Sequence, residues 1–296
     1  MKVVVSGASG LIGTALVPAL RAEGHEVIRL VRREPTGTDE IRWNPAAGEL
    51  DVTQLRDVDA LVNLGGENIG QRWTDARKRE ILDSRVSSTG LLARTAAALD
   101  PRPSVLVCAS AVGFYGVRDN EILTEESTQG SGFLAEVVGA WEAAAEPARA
   151  VGIRVVHLRQ GIVLATQGGA LERMLLPFKL GVGGRVGSGK QWWSWVGLDD
   201  LTAGYGHALR HDIAGAVNLT SPNPVTNAQF TKALGSALGR PTVFPVPAFA
   251  ARTLFGEMGE QMLLGGQRVL PARLQDAGFD FVAATIDVGL ERALAT

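Results

Sequence analysis

The sequence predicts an α/β chain built on a parallel, doubly wound sheet, and three observations carry that prediction. Short β-branched runs alternate with stretches whose apolar residues recur at helical spacing. The first run, Val3-Val4-Val5, passes directly into glycine-rich punctuation between Gly7 and Gly13, and a helical pattern follows. A second strand pattern begins almost at once after that helix ends.

Leu11, Ala15, Leu16 and Leu20 recur at helical spacing until Gly24 stops the helix, and Glu26 to Val31 completes a β-α-β unit. Later strand candidates are Ala60 to Leu64, Val105 to Ala109 and Arg154 to Leu158. Helical patterns from Arg77 to Leu99 and from Phe133 to Ala150 separate them. After about Leu164 the pattern changes. Gly168-Gly169, Gly181, Gly183-Gly184, Gly187 and Gly189 crowd a stretch that also holds Trp192, Trp193 and Trp195, and prolines from Pro222 to Pro247 precede a helical C-terminus. The expected organisation is a dinucleotide-binding domain over 1–165, to which 190–220 returns. Residues 166–189 and 221–296 would form a smaller α/β lobe closing over it.

Composition excludes several classes. Apolar residues make up 46% and charged residues 20%, with a net charge of −2, so neither disorder nor a basic nucleic-acid face is expected. No apolar run approaches the ~20 residues that span a bilayer. The N-terminus carries no signal-peptide pattern, and the single Cys108 lies in an apolar run where a buried small hydrophobe is expected. These features predict a cytoplasmic protein with a small-molecule partner rather than nucleic acid or membrane, and leave the choice between monomer and homodimer open.

Gly7-Ala8-Ser9-Gly10-Leu11-Ile12-Gly13 has the spacing G-x-x-G-x-x-G, between a strand and a helix. The first glycine permits the tight exit from the strand, the second a close approach of backbone to pyrophosphate, and the third helix–sheet packing. The diphosphate would then sit on the free N–H groups at the positive end of the helix. This is the Rossmann-type arrangement. Where an NAD site places an Asp or Glu for the ribose 2′-hydroxyl, this chain has Val31-Arg32-Arg33. Guanidinium groups there suit a 2′-phosphate, so the expected cofactor is NADP(H).

With these residues in view, the chain resembles the extended short-chain dehydrogenase/reductases. Asp59-Ala60-Leu61-Val62-Asn63-Leu64-Gly65-Gly66 is similar to the segment that runs past the adenine ribose, which assigns Leu64, Gly65 and Gly66 to the cofactor. Arg154 to Arg159 is similar to the strand whose following turn, here Gln160-Gly161-Ile162, lines the nicotinamide. Gly187-Ser188-Gly189-Lys190-Gln191 through Val196-Gly197-Leu198-Asp199-Asp200 resembles sugar-nucleotide epimerases and dehydratases. Arg72-Trp73-Thr74, Ser84-Arg85, Gln191 to Trp195 and Arg268-Val269-Leu270-Pro271 resemble one atypical branch, the "epimerase family" proteins with a characteristic C-terminal domain.

The resemblance implies a Tyr-x-x-x-Lys pair, in which lysine lowers the pKa of the proton-transferring tyrosine. The chain lacks it. Asp119 stands four residues after Tyr115 and Leu209 four after Tyr205, while the helix that should carry the pair has Phe133-Leu134 and Val137-Val138. Ser110, following the fifth strand, remains a candidate for the nicotinamide ribose or a substrate, and Tyr115 a candidate acid or a pocket wall. Trp192, Trp193 and Trp195 are expected to line an apolar pocket or to pack between lobes. Glu67 and Arg72 fall near the same cleft or on the surface. His207 and His211 have a zinc-compatible spacing but no third ligand, so no metal is expected. Asp199-Asp200 are expected to cap a helix from Leu201 to Leu209. The expected function is an NADP(H)-binding oxidoreductase or epimerase acting on a small carbonyl or sugar-like substrate. The alternative is a non-catalytic NADP(H)-binding sensor.

Overall fold

The computed structural model describes residues 1–295. The chain begins with β1 (Lys2–Ser6), α1 (Leu11–Ala22) and β2 (Glu26–Val31), then adds β3 (Glu40–Asn44), β4 (Glu49–Leu50) and β5 (Ala60–Asn63). After α2 (Asp75–Ala98) come β6 (Val105–Ala111), the short β7 (Ile122–Leu123), α3 (Phe133–Ala143) and α4 (Glu146–Arg149). Then follow β8 (Arg154–Gln160), β9 (Ile162–Leu164), α5 (Gly169–Lys179), β10 (Trp192–Trp193), β11 (Trp195–Gly197), α6 (Leu198–Arg210) and β12 (Gly215–Leu219). The remainder is β13 (Val225–Thr226), α7 (Asn227–Ala237), α8 (Ala248–Phe255), β14 (Arg268–Val269), α9 (Ala272–Asp276) and α10 (Ile286–Ala295).

One sheet of eight strands runs in the order β12-β8-β6-β5-β1-β2-β3-β4. All neighbours are parallel except β4, which turns back antiparallel on β3 at the edge. Strand alternation sorts the core. Val3, Val5, Val105 and Val107 face α1 and α6, against Leu16, Leu20, Leu201 and Tyr205. Val4, Leu61, Leu106 and Cys108 face the other way, against Leu91, Leu92 and Ala96 of α2. This is the doubly wound Rossmann-type sheet. The strand order reverses between β1 and β5, where such sheets leave a ligand crevice at the strands' C-terminal ends.

The structure departs from the expected elements in three places. The helix expected from Phe133 to Ala150 breaks into α3 and α4, with Pro147 at the start of α4, because proline lacks the N–H and restricts the residue before it. The β3–β4 hairpin was not expected, since Glu40 and Arg42 obscure its alternation. Asp199 and Asp200 do not form the cap itself: α6 starts at Leu198 behind Gly197, with both acids in its first turn. Asp200 instead accepts from the backbone N–H groups of Val282 (2.8 Å) and Ala283 (3.0 Å), and Asp199 pairs with Arg292 at 2.6 Å, so α6 grips the C-terminal segment.

A further cluster joins Leu171 and Leu175 of α5, Trp193, Trp195, Phe230 and Leu234 of α7, and Leu290 of α10. None of the described helices is long and apolar enough to cross a membrane.

Candidate functional site

Two cavities meet at the crevice. A groove of about 900 Å³ runs past Gly7–Gly10, Thr14, Val31–Arg33 and Leu64–Glu67. A cleft of about 450 Å³ continues from Gly10–Gly13 past Ala111–Gly113 and Gln160–Val163 to Trp192–Ser194 and Gly265–Gln267. Gly7, Gly10, Leu64 and Gly66 line both.

The three glycines of the loop differ in their demands. Gly7 has φ +70°, and a Cβ there would meet the Leu64 carbonyl carbon at 2.8 Å. At Gly13 a Cβ would lie 2.4 Å from the Gly7 carbonyl oxygen. Both are required by the protein's own packing. At Gly10 a Cβ would make only an ordinary contact, 3.4 Å from the Gly7 oxygen, so the fold does not require glycine there. A bare backbone at that point fits a group that must approach closely. No side chain caps the N-terminus of α1, which leaves its N–H groups facing the groove and fits a diphosphate.

The turn after β5 is held from below. Buried Asn63 accepts from the Ser6 hydroxyl (2.6 Å) and the Gly65 N–H (3.1 Å), and donates to Thr89 (2.7 Å). Arg85 of α2 lies against Gly66, donates to the Glu67 and Ile81 carbonyls at 3.1 Å each, and sits 5.0 Å from the Trp141 ring. Burial lowers its pKa to about 10, still well above neutrality. It is a fixed cation behind the loop that separates groove from cleft.

The two arginines after β2 are not equivalent. Arg33 forks onto Glu40 at 2.6 and 2.8 Å, and that bond, with the Thr36 N–H at 2.7 Å, holds the Glu40 carboxyl at about 2. Arg29 pairs with Asp39 and also reaches Glu40. Arg32 is exposed on the groove and makes no hydrogen bond or ion pair among the described residues.

Within the cleft, Val112, Leu134, Val138, Ile162, Val163, Trp192 and Trp193 supply apolar wall, and Gln160, Gln261 and Gln267 supply amides. No Asp, Glu, His, Lys, Arg, Cys or Tyr lines it among the described residues. Gln160 donates to Tyr205 at 2.5 Å. Gln261 accepts from the Leu134 N–H at 3.2 Å and donates to Glu257 at 2.9 Å. The Gln267 side chain makes no hydrogen bond among the described residues.

Two expectations are corrected here. Ser110 does not reach the cleft: it is 3% exposed and donates to Glu142 Oε1 at 2.6 Å. The reason is strand parity, since Ser110 shares its face of β6 with Leu106 and Cys108, and the chain meets the cleft only at Ala111. Tyr115 is fully buried; its phenol donates to Asn218 Oδ1 (2.7 Å) and accepts from Arg159 (3.1 Å). Burial raises its pKa against the opposing Arg159 charge, so it is neither a cleft acid nor a cleft wall. Both belong to a buried network centred on the Glu142–Arg159 ion pair, 2.7 Å long, with Arg159 stacked 3.4 Å from the Phe114 ring centroid.

The remaining expected positions fall as follows. Gly7, Ser9, Gly10, Leu11, Ile12, Gly13, Arg32, Arg33, Leu64, Gly65, Gly66, Gln160, Gly161 and Ile162 all line one or both cavities. Glu67 lines the groove and pairs with Arg77, whereas Arg72 donates to the Thr253 carbonyl outside both cavities. The tryptophans divide: Trp192 and Trp193 line the cleft, and Trp195 is core. His207 and His211 stack with centroids 3.9 Å apart. Sequence reasoning missed Trp43–Ala46 in the groove and Gln261–Gln267 in the cleft wall. The glycine pair Gly265-Gly266 was the available signal for the second, since a Cβ at Gly266 would strike the Trp192 carbonyl oxygen at 1.9 Å.

Comparison with known proteins gives matches along the chain. The NAD dependent epimerase/dehydratase family matches residues 3–220, and a domain of unknown function, DUF1731, matches residues 246–293. Epimerase family protein Mb2239 of Mycobacterium bovis is 47% identical over 290 residues, covering 97% of this chain and 96% of that protein. The crystal structure of human epimerase family protein SDR39U1 (isoform 2) with NADPH superimposes at TM-score 0.91 and 36% identity, over the full length of both chains. A nucleoside-diphosphate sugar epimerase from Corynebacterium glutamicum superimposes at TM-score 0.82 and 36% identity, over 99% of this chain and 58% of that one.

Proposed function

The chain belongs to the NAD dependent epimerase/dehydratase family, and from that premise we propose that it is an NADP(H)-binding reductase of a small molecule. The observation that carries this reading is the shared edge: groove and cleft meet at Gly7, Gly10, Leu64 and Gly66, so one extended dinucleotide reaches both. The loop from Gly7 through Ser9, Gly10, Leu11 and Ile12 to Gly13 holds the diphosphate. Leu64, Gly65 and Gly66 run along the adenosine half, and Gln160, Gly161 and Ile162 line the nicotinamide end. Arg32 meets the 2′-phosphate, with Arg33 behind it on Glu40. A relative at 36% identity was solved with NADPH, which supports the phosphate-bearing form.

When bound, NADPH supplies a hydride to the carbonyl carbon of the ligand. The carbonyl oxygen takes its proton from water, because among the described residues no side chain lining the cleft titrates near neutrality. The same observation weighs against epimerisation through a ketone, which needs a base to take a hydroxyl proton and later return it. A second reading, a non-catalytic NADP(H) sensor, is favoured by the same missing acid and base. A cytoplasmic setting suits the one cysteine, Cys108, whose thiol burial pushes up to about 12.

The test measures NADPH binding by nicotinamide fluorescence, then follows NADPH absorbance against a panel of carbonyl compounds. Turnover that persists in Ser110→Ala and Tyr115→Phe supports the reductase. Binding without turnover on any carbonyl leaves the sensor, and absence of NADPH binding overturns both.

A further inference from the structure

Resting on that reading, we infer that the cleft beside the nicotinamide takes a neutral, planar conjugated carbonyl compound of the quinone class, and excludes nucleoside-diphosphate sugars. The first argument is charge. A diphosphate buried from water needs cations or several N–H donors, and no lysine or arginine lines the cleft among the described residues. Arg268 packs nearby, but its guanidinium stands over the Trp192 ring, 4.3 Å from its centroid.

The second argument is the count of polar groups. Gln160 and Gln261 are already engaged with Tyr205, Leu134 and Glu257, and the Ser194 hydroxyl donates to the Gln267 carbonyl (2.8 Å) and accepts from the Val269 N–H (2.9 Å). That leaves two side-chain groups of the lining without a hydrogen bond among the described residues, the Gln267 amide and the buried Trp193 indole N–H, to meet a ligand oxygen. One amide and one indole N–H suit a carbonyl; they leave most hydroxyls of a sugar stripped of water and unpaired. The third is shape. The cleft holds about 450 Å³ in all, part of it for the nicotinamide end of the cofactor, and the wall of Val112, Leu134 and Trp192 suits a small flat ring.

The experiment titrates NADP⁺-loaded protein, which has no hydride to give, with duroquinone, whose fully substituted ring does not add thiols, and separately with UDP-glucose, by calorimetry. Duroquinone is expected to bind and UDP-glucose to give no heat. Leu134→Lys, which places a charge in the cleft, and Gln267→Leu are each expected to weaken duroquinone about tenfold, with NADPH affinity within about threefold of the parent. UDP-glucose binding more tightly than duroquinone, or neither ligand binding a protein that does hold NADPH, overturns the inference. If one variant fails to fold, the other decides. Loss of NADPH binding in the parent chain is read before any ligand is added, and it overturns the proposed function instead.

Discussion

Ser110 and Glu142 are joined by a 2.6 Å hydrogen bond on the face of β6 shared with Leu106 and Cys108. The carboxylate that receives it is held by Arg159, the neighbour of Ser110 in β8. Burial pushes the Glu142 carboxyl up, but the Arg159 hydrogen bond and charge more than offset it, so the pair stays ionised. Ser110 therefore stabilises a buried charge and lies outside the lining of the cleft.

Ser110→Ala is accordingly expected to cost about 1–2 kcal/mol of stability, since it withdraws a donor from a buried carboxylate. NADPH affinity and any turnover should stay within about threefold. Chemical denaturation and a binding titration on the same preparation measure both, and turnover abolished in a normally stable protein would contradict this placement.

Gly10→Ala and Gly13→Ala should separate cleanly. The fold admits a methyl group at Gly10, so that variant should melt like the parent yet lose NADPH affinity by tenfold or more, on the order of what one obstructed phosphate contact costs. Gly13→Ala forces a 2.4 Å contact with the Gly7 carbonyl oxygen and should lower the melting temperature or the soluble yield. Equal NADPH affinity in parent and Gly10→Ala would remove the close-approach argument.

Arg32 should govern the choice between phosphorylated and plain dinucleotide. Arg32→Ala is expected to weaken NADPH by roughly tenfold to a hundredfold while leaving NADH nearly unchanged, because only the former carries the 2′-phosphate. Arg33→Ala should affect both cofactors through the loop that Glu40 and Thr36 hold. Parallel fluorescence titrations with the two nucleotides decide it. A larger NADPH-specific loss at Arg33 would reverse the roles.

His157 gives the fold a pH dependence of defined sign. Burial lowers its pKa to about 4 from an ordinary 6.5, with Arg149 and Arg159 adding to the effect against the attraction of Glu142. Between those values the unfolded chain binds a proton that the folded chain does not, so this contribution is complete above pH 6.5 and is lost as pH falls towards 4. The loss reaches about 3 kcal/mol in all, and about 2 kcal/mol between pH 7 and pH 5. His157→Leu should flatten most of that decline in denaturant midpoints, with buried His207, whose pKa is also lowered, contributing the remainder. An unchanged slope in His157→Leu would place the titration elsewhere.

The parallel sheet was legible because its central strands are uninterrupted apolar runs buried on both faces, such as Val105 to Ala109. The β3–β4 hairpin was not, because Glu40 is buried only through its ion pairs, which no hydropathy pattern reveals. The groove residues were legible for a related reason: a glycine loop between a strand and a helix has a fixed geometry. Ser110 failed for want of one fact, the strand parity at Ala111, and Tyr115 because the helical turn Val112–Tyr115 carries its ring into the core, where the phenol meets Asn218. The cleft wall contributed by Gln261–Gln267 lies about 100 residues or more along the chain from the other walls at Ala111–Gly113 and Gln160–Val163, and only tertiary contact brings them together.

Among the described residues the C-terminal segment completes the cleft but contributes nothing to the dinucleotide groove. The groove is drawn, among the described residues, wholly from the stretch up to Ser88, while the cleft gathers its walls from along the whole chain. The N-terminal part of the groove can be kept intact while the stretch around Gly265-Gly266-Gln267 varies, so relatives can diverge in what they accept without rebuilding how they hold the nucleotide. During synthesis the order is equally consequential. The groove-forming residues leave the ribosome first, and the Gly265-Gly266-Gln267 wall of the cleft is synthesised last.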